Sequence, residues 1–244
     1  MFRGLGTIIN VLCIVSGALL GLLVGSKFKA HTRDLITSTL GFVTLLAAVD
    51  SIKSAWDKKY VFALPTGWSM LVILFSLLFG ALIGSALKIE DRLENMGHVL
   101  KSKLDKNGTS PFVEGFVASS LLFVIGPMAI LGSISDGMGT GIQQLVLKSI
   151  LDGITSIAFA ASMGWGVAVS ALPVGIYQGA WTGVGLFLGN ILPDYQVLAM
   201  TAVGGILLLG ISFRLIRIAA IQVGNLLPAL FLAPVIALVV HQFV

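Results

Sequence analysis

The chain has 244 residues, 57% of them apolar and only 11% charged, with a mean hydropathy of +1.01. An average soluble domain carries roughly 25% charged residues, and a water-soluble fold could not cover this much apolar surface. The formal charge of +4 is too small to mark a nucleic-acid partner, and the single Cys13 cannot close an intramolecular disulfide.

A helix needs about 20 apolar residues to cross the hydrocarbon core of a bilayer. Eight such runs follow along the chain: 4–26, 35–54, 66–88, 112–134, 143–163, 165–189, 194–213 and 222–243. Strand-like alternation is absent from them. The expected fold is therefore all-α, a polytopic transmembrane helix bundle forming one domain over 1–244. Connections between the fourth and sixth runs are short and contain glycine, so a seven-span reading with one re-entrant segment stays open. The first run follows Arg3 but is longer than a leader's apolar core and lacks a convincing small-residue cleavage site, so it is read as a span. Trp56, Tyr60 and Trp68 near the second loop fit an interfacial aromatic belt.

After the third run comes the long polar stretch Lys88 to Ser110. Ile89, Leu93, Met96, Leu100 and Leu104 recur there at helical spacing, which predicts an amphipathic helix on the inner membrane surface. A charged connector with no further role accounts for it equally well. The fourth run continues into "FVIGPMAILGSISDGMGTG". Pro127 after Gly126 removes a backbone donor, and free carbonyls at membrane depth are tolerated only against protein or a water-filled cavity. The glycine-rich tail is expected to bring Asp136 and exposed amides close to the start of the fifth run. A simple proline kink and a flexible loop form the plain alternative.

The fifth run carries two formal charges, Lys148 and Asp152, four residues apart on one helix face. Counted from Gln143, Asp152 lies roughly 14 Å into the helix, near the midplane. A charge there costs at least about 2.5–3.5 kcal/mol, so it needs a partner or a task. Lys148 can snorkel toward the interface, whereas the short stem of Asp152 cannot. Either the two form an ion pair that locks the helix to a neighbour, or they form a solute, ion or proton site. Other polar residues beside proline breaks or inside spans are Gln178, Asn225 and Asn10, each of which also serves as ordinary helix–helix glue.

Lys and Arg concentrate in alternate loops: residues 27, 29 and 33, then 88 to 106, then 214 and 217, against 3, 53, 58 and 59 on the other face. The positive-inside rule makes the first face cytoplasmic and puts both termini outside. "STLGFVTLLAAVDS" can be laid on "TAVGGILLLGISF", matching Gly41 with Gly204. "GALLGLLVG" meets "GAWTGVGLFLG" in the same way, matching Gly17 and Gly21 with Gly179 and Gly183. These echoes suggest that spans 1–3 repeat as spans 6–8 in inverted orientation, a transporter habit. The halves would be 4–88 and 165–243, joined by the loop 88–110 and spans 112–163. An apolar alphabet also generates such matches by chance.

The segments "EGFVASSLLFVIGPMAILGSISDGM", "KSILDGITSIAFAASMGWGVAVSALPV", "AVGGILLLGISFRL" and "VGNLLPALFLAPV" resemble the bacterial YdfK/YqgA-like membrane proteins over nearly the whole chain. The resemblance implies a multi-pass protein of the bacterial inner membrane and supplies no substrate or mechanism. Lys148, Asp152, the glycine run after Gly126 and Asn225 correspond to its recurrent motif positions. No metal-ligand spacing, nucleophile elbow or phosphate-binding loop is visible, so neither an enzyme nor a cofactor is expected. The leading expectation is a secondary transporter of a small polar or anionic solute, coupled to protons or sodium. Its pathway would use Lys148, Asp152, Gly126, Pro127, Asp136, Gln178, Asn225 and Asn10. A scaffold or sensor comes second and a channel third. The implied partners are the bilayer and a small solute or ion, without nucleic acid; a homo-oligomer is compatible with the sequence.

Overall fold

In the computed structural model, residues 2–104, 111–188 and 192–243 are described, and among them no strand occurs. The tail of the expected amphipathic stretch, 105–110, and the end of the expected sixth span at residue 189 lie outside them. In chain order the helices are α1 (Leu5–Gly25), α2 (Ala30–Ile52), α3 (Lys58–Val61), α4 (Trp68–Leu87), α5 (Ile89–Leu104) and α6 (Phe112–Val124). They continue with α7 (Pro127–Met138), α8 (Gln143–Met163), α9 (Gly166–Val169), α10 (Ala171–Leu188), α11 (Asp194–Leu215) and α12 (Pro228–Phe243). Turns of 3₁₀ helix precede α3, at Lys53–Trp56, and α12, at Val223–Leu226.

Among the described residues six helical segments are long and apolar enough to cross a membrane, and α6 with α7, bent by 62°, makes a seventh if the pair is one span. The bend falls where the sequence loses helix continuity: Gly126 has φ +141°, and Pro127 opens α7, where its missing donor costs no hydrogen bond. The expected sixth span is divided into α9 and α10. With Pro173, Tyr177, Gln178 and four glycines, α10 is not among the helices long and apolar enough to cross a membrane, and the count of eight rests on it.

Two helices, α4 and α1, are packed inside out relative to a soluble protein. In α4 the buried residues are Ser69, Val72, Ile73, Ser76, Gly80 and Gly84, while Leu71, Leu74, Leu78, Phe79 and Leu82 face outward. In α1 the same inversion buries Gly17, Gly21 and Gly25 and exposes Leu12, Leu19, Leu20 and Leu23. Small residues between helices and large ones outside are what close packing in lipid demands, because tails are as apolar as leucine.

Contacts divide the chain into two compact units. The first holds Met1–Leu40, Leu93–Val124 and Met128–Asn190; the second holds Gly41–Arg92, Ile125–Pro127 and Ile191–Val244. In the first unit α1 lies along α8. A Cβ added at Gly17, Gly21 or Gly25 would land on the carbonyl oxygen of Gly153, Ile157 or Ala161 respectively. The rising register makes the two helices parallel, the relation expected of a first and a fifth span. Beside them α10 runs antiparallel to α1, with Gly175 next to Val11 and Thr182 bonded to Thr7.

In the second unit α4 packs on α12 and the turn before it, Gly80 against Ala229 and Gly84 against the Asn225 carbonyl. Ser212 donates to the Gly41 carbonyl, and Gly205 abuts Ala48 and Ile52, which sets α11 antiparallel to α2. The glycines equated in the inverted-repeat reading occupy unlike settings. Gly17 and Gly21 are pressed onto backbone, whereas a Cβ at Gly179 or Gly183 would meet open space. The sequence echo does not extend to packing.

Candidate functional site

The charged pair of the fifth span sits inside the first unit. Lys148 and Asp152 are each 7% exposed, and Lys148 Nζ donates to Asp152 Oδ2 at 2.5 Å. Their i,i+4 spacing on α8 brings them to one face, and the same stripe continues to Ser156. Asn10 of α1, fully buried, donates its amide to the same Asp152 oxygen at 3.0 Å. The Lys148 ammonium also lies 5.9 Å from the centroid of the Phe123 ring on α6, a cation–π distance.

Gln178 belongs to the same layer. Thr7 faces Thr182 at 3.3 Å and Val11 faces Gly175, so the α1–α10 register sets Gln178 opposite residues 7 to 11, beside Asn10. Thr182 Oγ1 donates to the Gln178 carbonyl, one turn back on α10. The side chain of Gln178 is fully buried, yet neither its oxygen nor its nitrogen has a hydrogen-bond partner in the protein. The same holds for Asn10 Oδ1 and Ser156 Oγ.

The behaviour of Ser156 stands apart from its neighbours. Ser119, Ser120, Ser133 and Ser149 each donate to the carbonyl four residues back, the usual way a hydroxyl is satisfied inside an apolar helix. An unpaired buried polar atom costs about 1–3 kcal/mol. Asn10 Oδ1, on the residue bonded to Asp152, and Ser156 Oγ, one turn further along α8, are two such atoms beside the ion pair.

Asp136 lies apart from this layer. The helix α7 continues through Gly132 to Met138, so the expected glycine-rich loop is helical. Its carboxylate, 2% exposed, accepts from Gly4 N at 3.1 Å and Gly6 N at 2.9 Å. It caps the first turn of α1 from across the chain, where Gly4 has φ +92° and no local side chain serves. The amides it meets are those of α1, while Gly132 of its own helix packs against Gln144 and Leu145 at the start of α8.

Gly126, Pro127 and Asn225 belong to the second unit. There Asn225 Oδ1 accepts from Glu90 N at 2.9 Å, and Glu90 Oε2 accepts from Gly224 N at 2.6 Å. Arg214 Nη1 donates to the other Glu90 oxygen. Glu90 is 1% exposed, so this is a buried ion pair joined to a reciprocal clasp between the start of α5 and the turn before α12. Sequence reasoning left Glu90 unremarked within the polar stretch 88–110 and took Arg214 for a topology marker. In the first unit it overlooked Thr7, Ser156 and Thr182, although 148, 152 and 156 make a regular stripe. No group of three or more His, Cys, Asp or Glu side chains suited to a metal assembles among the described residues.

The family model described as "Protein of unknown function (DUF554)" matches residues 5–238. The chain belongs to the DUF554 family. It is 28% identical to the "Uncharacterized membrane protein YdfK" of Bacillus subtilis (strain 168) over 239 residues, 98% of this chain and 97% of that one. It is 27% identical to the "Uncharacterized protein YqgA" of Escherichia coli (strain K12) over 234 residues, 94% of each chain. No solved structure matches. With its inverted packing and its apolar helices, this DUF554 chain is a membrane protein with several spans.

Proposed function

We propose that this protein is a secondary transporter of a small polar or anionic solute in the bacterial inner membrane, driven by protons or sodium. One observation carries the reading: a buried ion pair, near the middle of an apolar helix, adjoins side-chain polar atoms of Asn10 and Ser156 that no protein group satisfies. Intramembrane ionisable residues of this kind are functional by default. Lys148 attracts or balances the solute, and Asp152 carries a proton or coordinates the cation. Loading Asp152 weakens its hold on Lys148, which then turns to the solute, so ion and solute bind together. The Lys and Arg bias of the loops supports an orientation with both termini outside.

The test is uptake by proteoliposomes of labelled organic and amino acids under imposed proton and sodium gradients. Asp152→Asn keeps size and hydrogen bonding but abolishes titration. The variant should fold and insert, while flux vanishes or loses its ion dependence. Absence of flux for every solute, with Asp152→Asn altering stability only, would favour the scaffold reading. That reading draws its support from the Asn10–Asp152 bond, which also ties α1 to α8.

A further inference from the structure

Two kinds of contact hold the first unit together. Where α1 meets α8, and again where α7 meets α10, glycine lets backbone rest on backbone. A Cβ added at Gly137 would strike the carbonyl oxygen of Thr182, and one added at Gly185 would strike that of Ile134. The contact is reciprocal, since each helix supplies one glycine and one carbonyl. No side chain stands between the helices to rotate toward a new partner, so each pair is a rigid body.

Between the two pairs the contacts run through side chains. Gly132 of α7 meets the side chains of Gln144 and Leu145, Thr7 meets Thr182, and the Val11 side chain meets Gly175. The Asp136 carboxylate reaches from α7 to the amides of Gly4 and Gly6 on α1. This boundary also holds buried polar atoms without protein partners, Asn10 Oδ1 on one side and the Gln178 amide on the other. Leaving such atoms unpaired is costly, and an arrangement that opens the boundary to water relieves it. The connections permit that opening. Helix α7 starts at the Gly126–Pro127 break, bent 62° from α6, and Gly139, with φ +76°, follows its other end.

We infer that α7 and α10 form one body that moves against the α1–α8 pair, and that Asp136 is the positioning residue that latches the boundary shut. This rests on the transporter reading and supplies its moving part: opening the boundary uncovers Asn10 and the Asp152 to which it is bonded. Asp136 holds main-chain amides of α1 from the far side of the boundary, so both of its hydrogen bonds exist only in the closed arrangement.

The experiment places nitroxide pairs on the full chain in proteoliposomes, in a Cys13→Ser background, with and without imposed proton and sodium gradients. Labels at the exposed positions Leu147 and Phe187 read the boundary between α8 and α10, and labels at Met128 and Phe187 read the α7–α10 body. Electron paramagnetic resonance should resolve two populated distances for the first pair and one for the second. Asp136→Asn keeps the size of the side chain but only one of its two acceptors, so the longer Leu147–Phe187 distance should gain at least about three-fold in weight. As a second measurement, Gly132→Cys and Gln144→Cys, whose Cβ positions lie 3.3 Å apart, should form a disulfide across the boundary that stops solute flux until it is reduced. Two distances for the Met128–Phe187 pair overturn the shared body, and a single distance for the Leu147–Phe187 pair overturns the motion. Unchanged weights in folded Asp136→Asn protein overturn the latch. Undiminished flux through the disulfide overturns the motion of α7 against α8. Two Leu147–Phe187 distances without flux of any solute leave the moving body standing and overturn transport alone.

Discussion

Removing one member of the Lys148–Asp152 pair should cost far more than removing both. With side chains only 9% and 10% exposed, solvent screening gives the survivor little relief. Lys148→Met keeps the aliphatic stem and leaves Asp152 charged, roughly 14 Å into the helix and unable to reach water. Breaking a buried pair in this way costs about 3–5 kcal/mol. The retained Asn10 bond at 3.0 Å sets the expectation at the lower end, about 3 kcal/mol. Asp152→Ala should cost less, about 1–2 kcal/mol, because Lys148 is only about 7.5 Å from the start of α8 and its stem leans that way. The double variant should lie within about 1 kcal/mol of the native protein, giving a coupling near 3 kcal/mol. Unfolding free energies from SDS titration in mixed micelles would complete the cycle. Additivity within about 0.5 kcal/mol would refute the pairing, and equal single costs would refute the snorkelling argument.

The glycine seam makes a second prediction: Gly21→Ala puts a Cβ on the Ile157 carbonyl and should destabilise by about 1–3 kcal/mol, while Gly183→Ala, in open space, should be neutral or slightly stabilising in the same titration. Glu90→Gln keeps the shape of the clasp in the second unit but removes its charge, and should cost about 1–2 kcal/mol with Arg214 partly solvated; an unchanged thermal midpoint would make the ion pair idle. Burial pushes the Tyr60 phenol above its ordinary value of about 10, and its hydroxyl donates to the Ser69 carbonyl. The unfolded chain therefore ionises first, so this contribution is complete below about pH 10 and is lost as pH rises above it. Tyr60→Phe should flatten that alkaline decline in a melting-temperature profile, and an unchanged profile would assign the decline elsewhere.

Hydropathy made the spans legible because each helix must satisfy its own backbone in lipid, so a run of apolar residues has one outcome. The break at Gly126–Pro127 was readable for the same reason: a missing donor and a positive φ leave local marks. Lys148 and Asp152 stood out because charge is rare at that depth. Asp136 shows where the reading fails. Its glycine-rich surroundings suggest a loop, yet Gly132 and Gly137 are small because Leu145 and Thr182 pack against them, and the segment stays helical. Thr7 and Thr182 carry no local signal, and Ser156 has only its place in the stripe 148, 152 and 156. A hydroxyl inside an apolar helix ordinarily bonds its own backbone, and only the packing of a second helix reveals one that does not. Glu90 was hidden by its neighbours, since one buried carboxylate among solvated ones reads as another surface charge.

Along α1 the two halves of the seam differ in kind, and this bears on which helices can move. From Gly17 to Gly25 the helix rests on the backbone of α8 with no side chain between them, so sliding would drive carbonyls into Cα atoms. At Thr7 and Asn10 the helix meets α10 and the charged pair through side chains, which can change partners. Packed interfaces switch between discrete arrangements and do not deform continuously. The α1–α8 pair should therefore act as a fixed frame and α10 as the element that shifts to expose Asp152. Native Cys13 offers a test: an ideal Cβ at Gly153 lies 3.3 Å from its own, close to the spacing of a disulfide. Oxidising Gly153→Cys against Cys13 should leave solute flux within about two-fold of the reduced protein, since 1.4 kcal/mol of altered barrier would already give ten-fold. Oxidising Thr7→Cys against Thr182→Cys, in a Cys13→Ser background, should arrest it reversibly. Arrest by the first crosslink, or free flux through the second, would place the moving boundary between α1 and α8 instead.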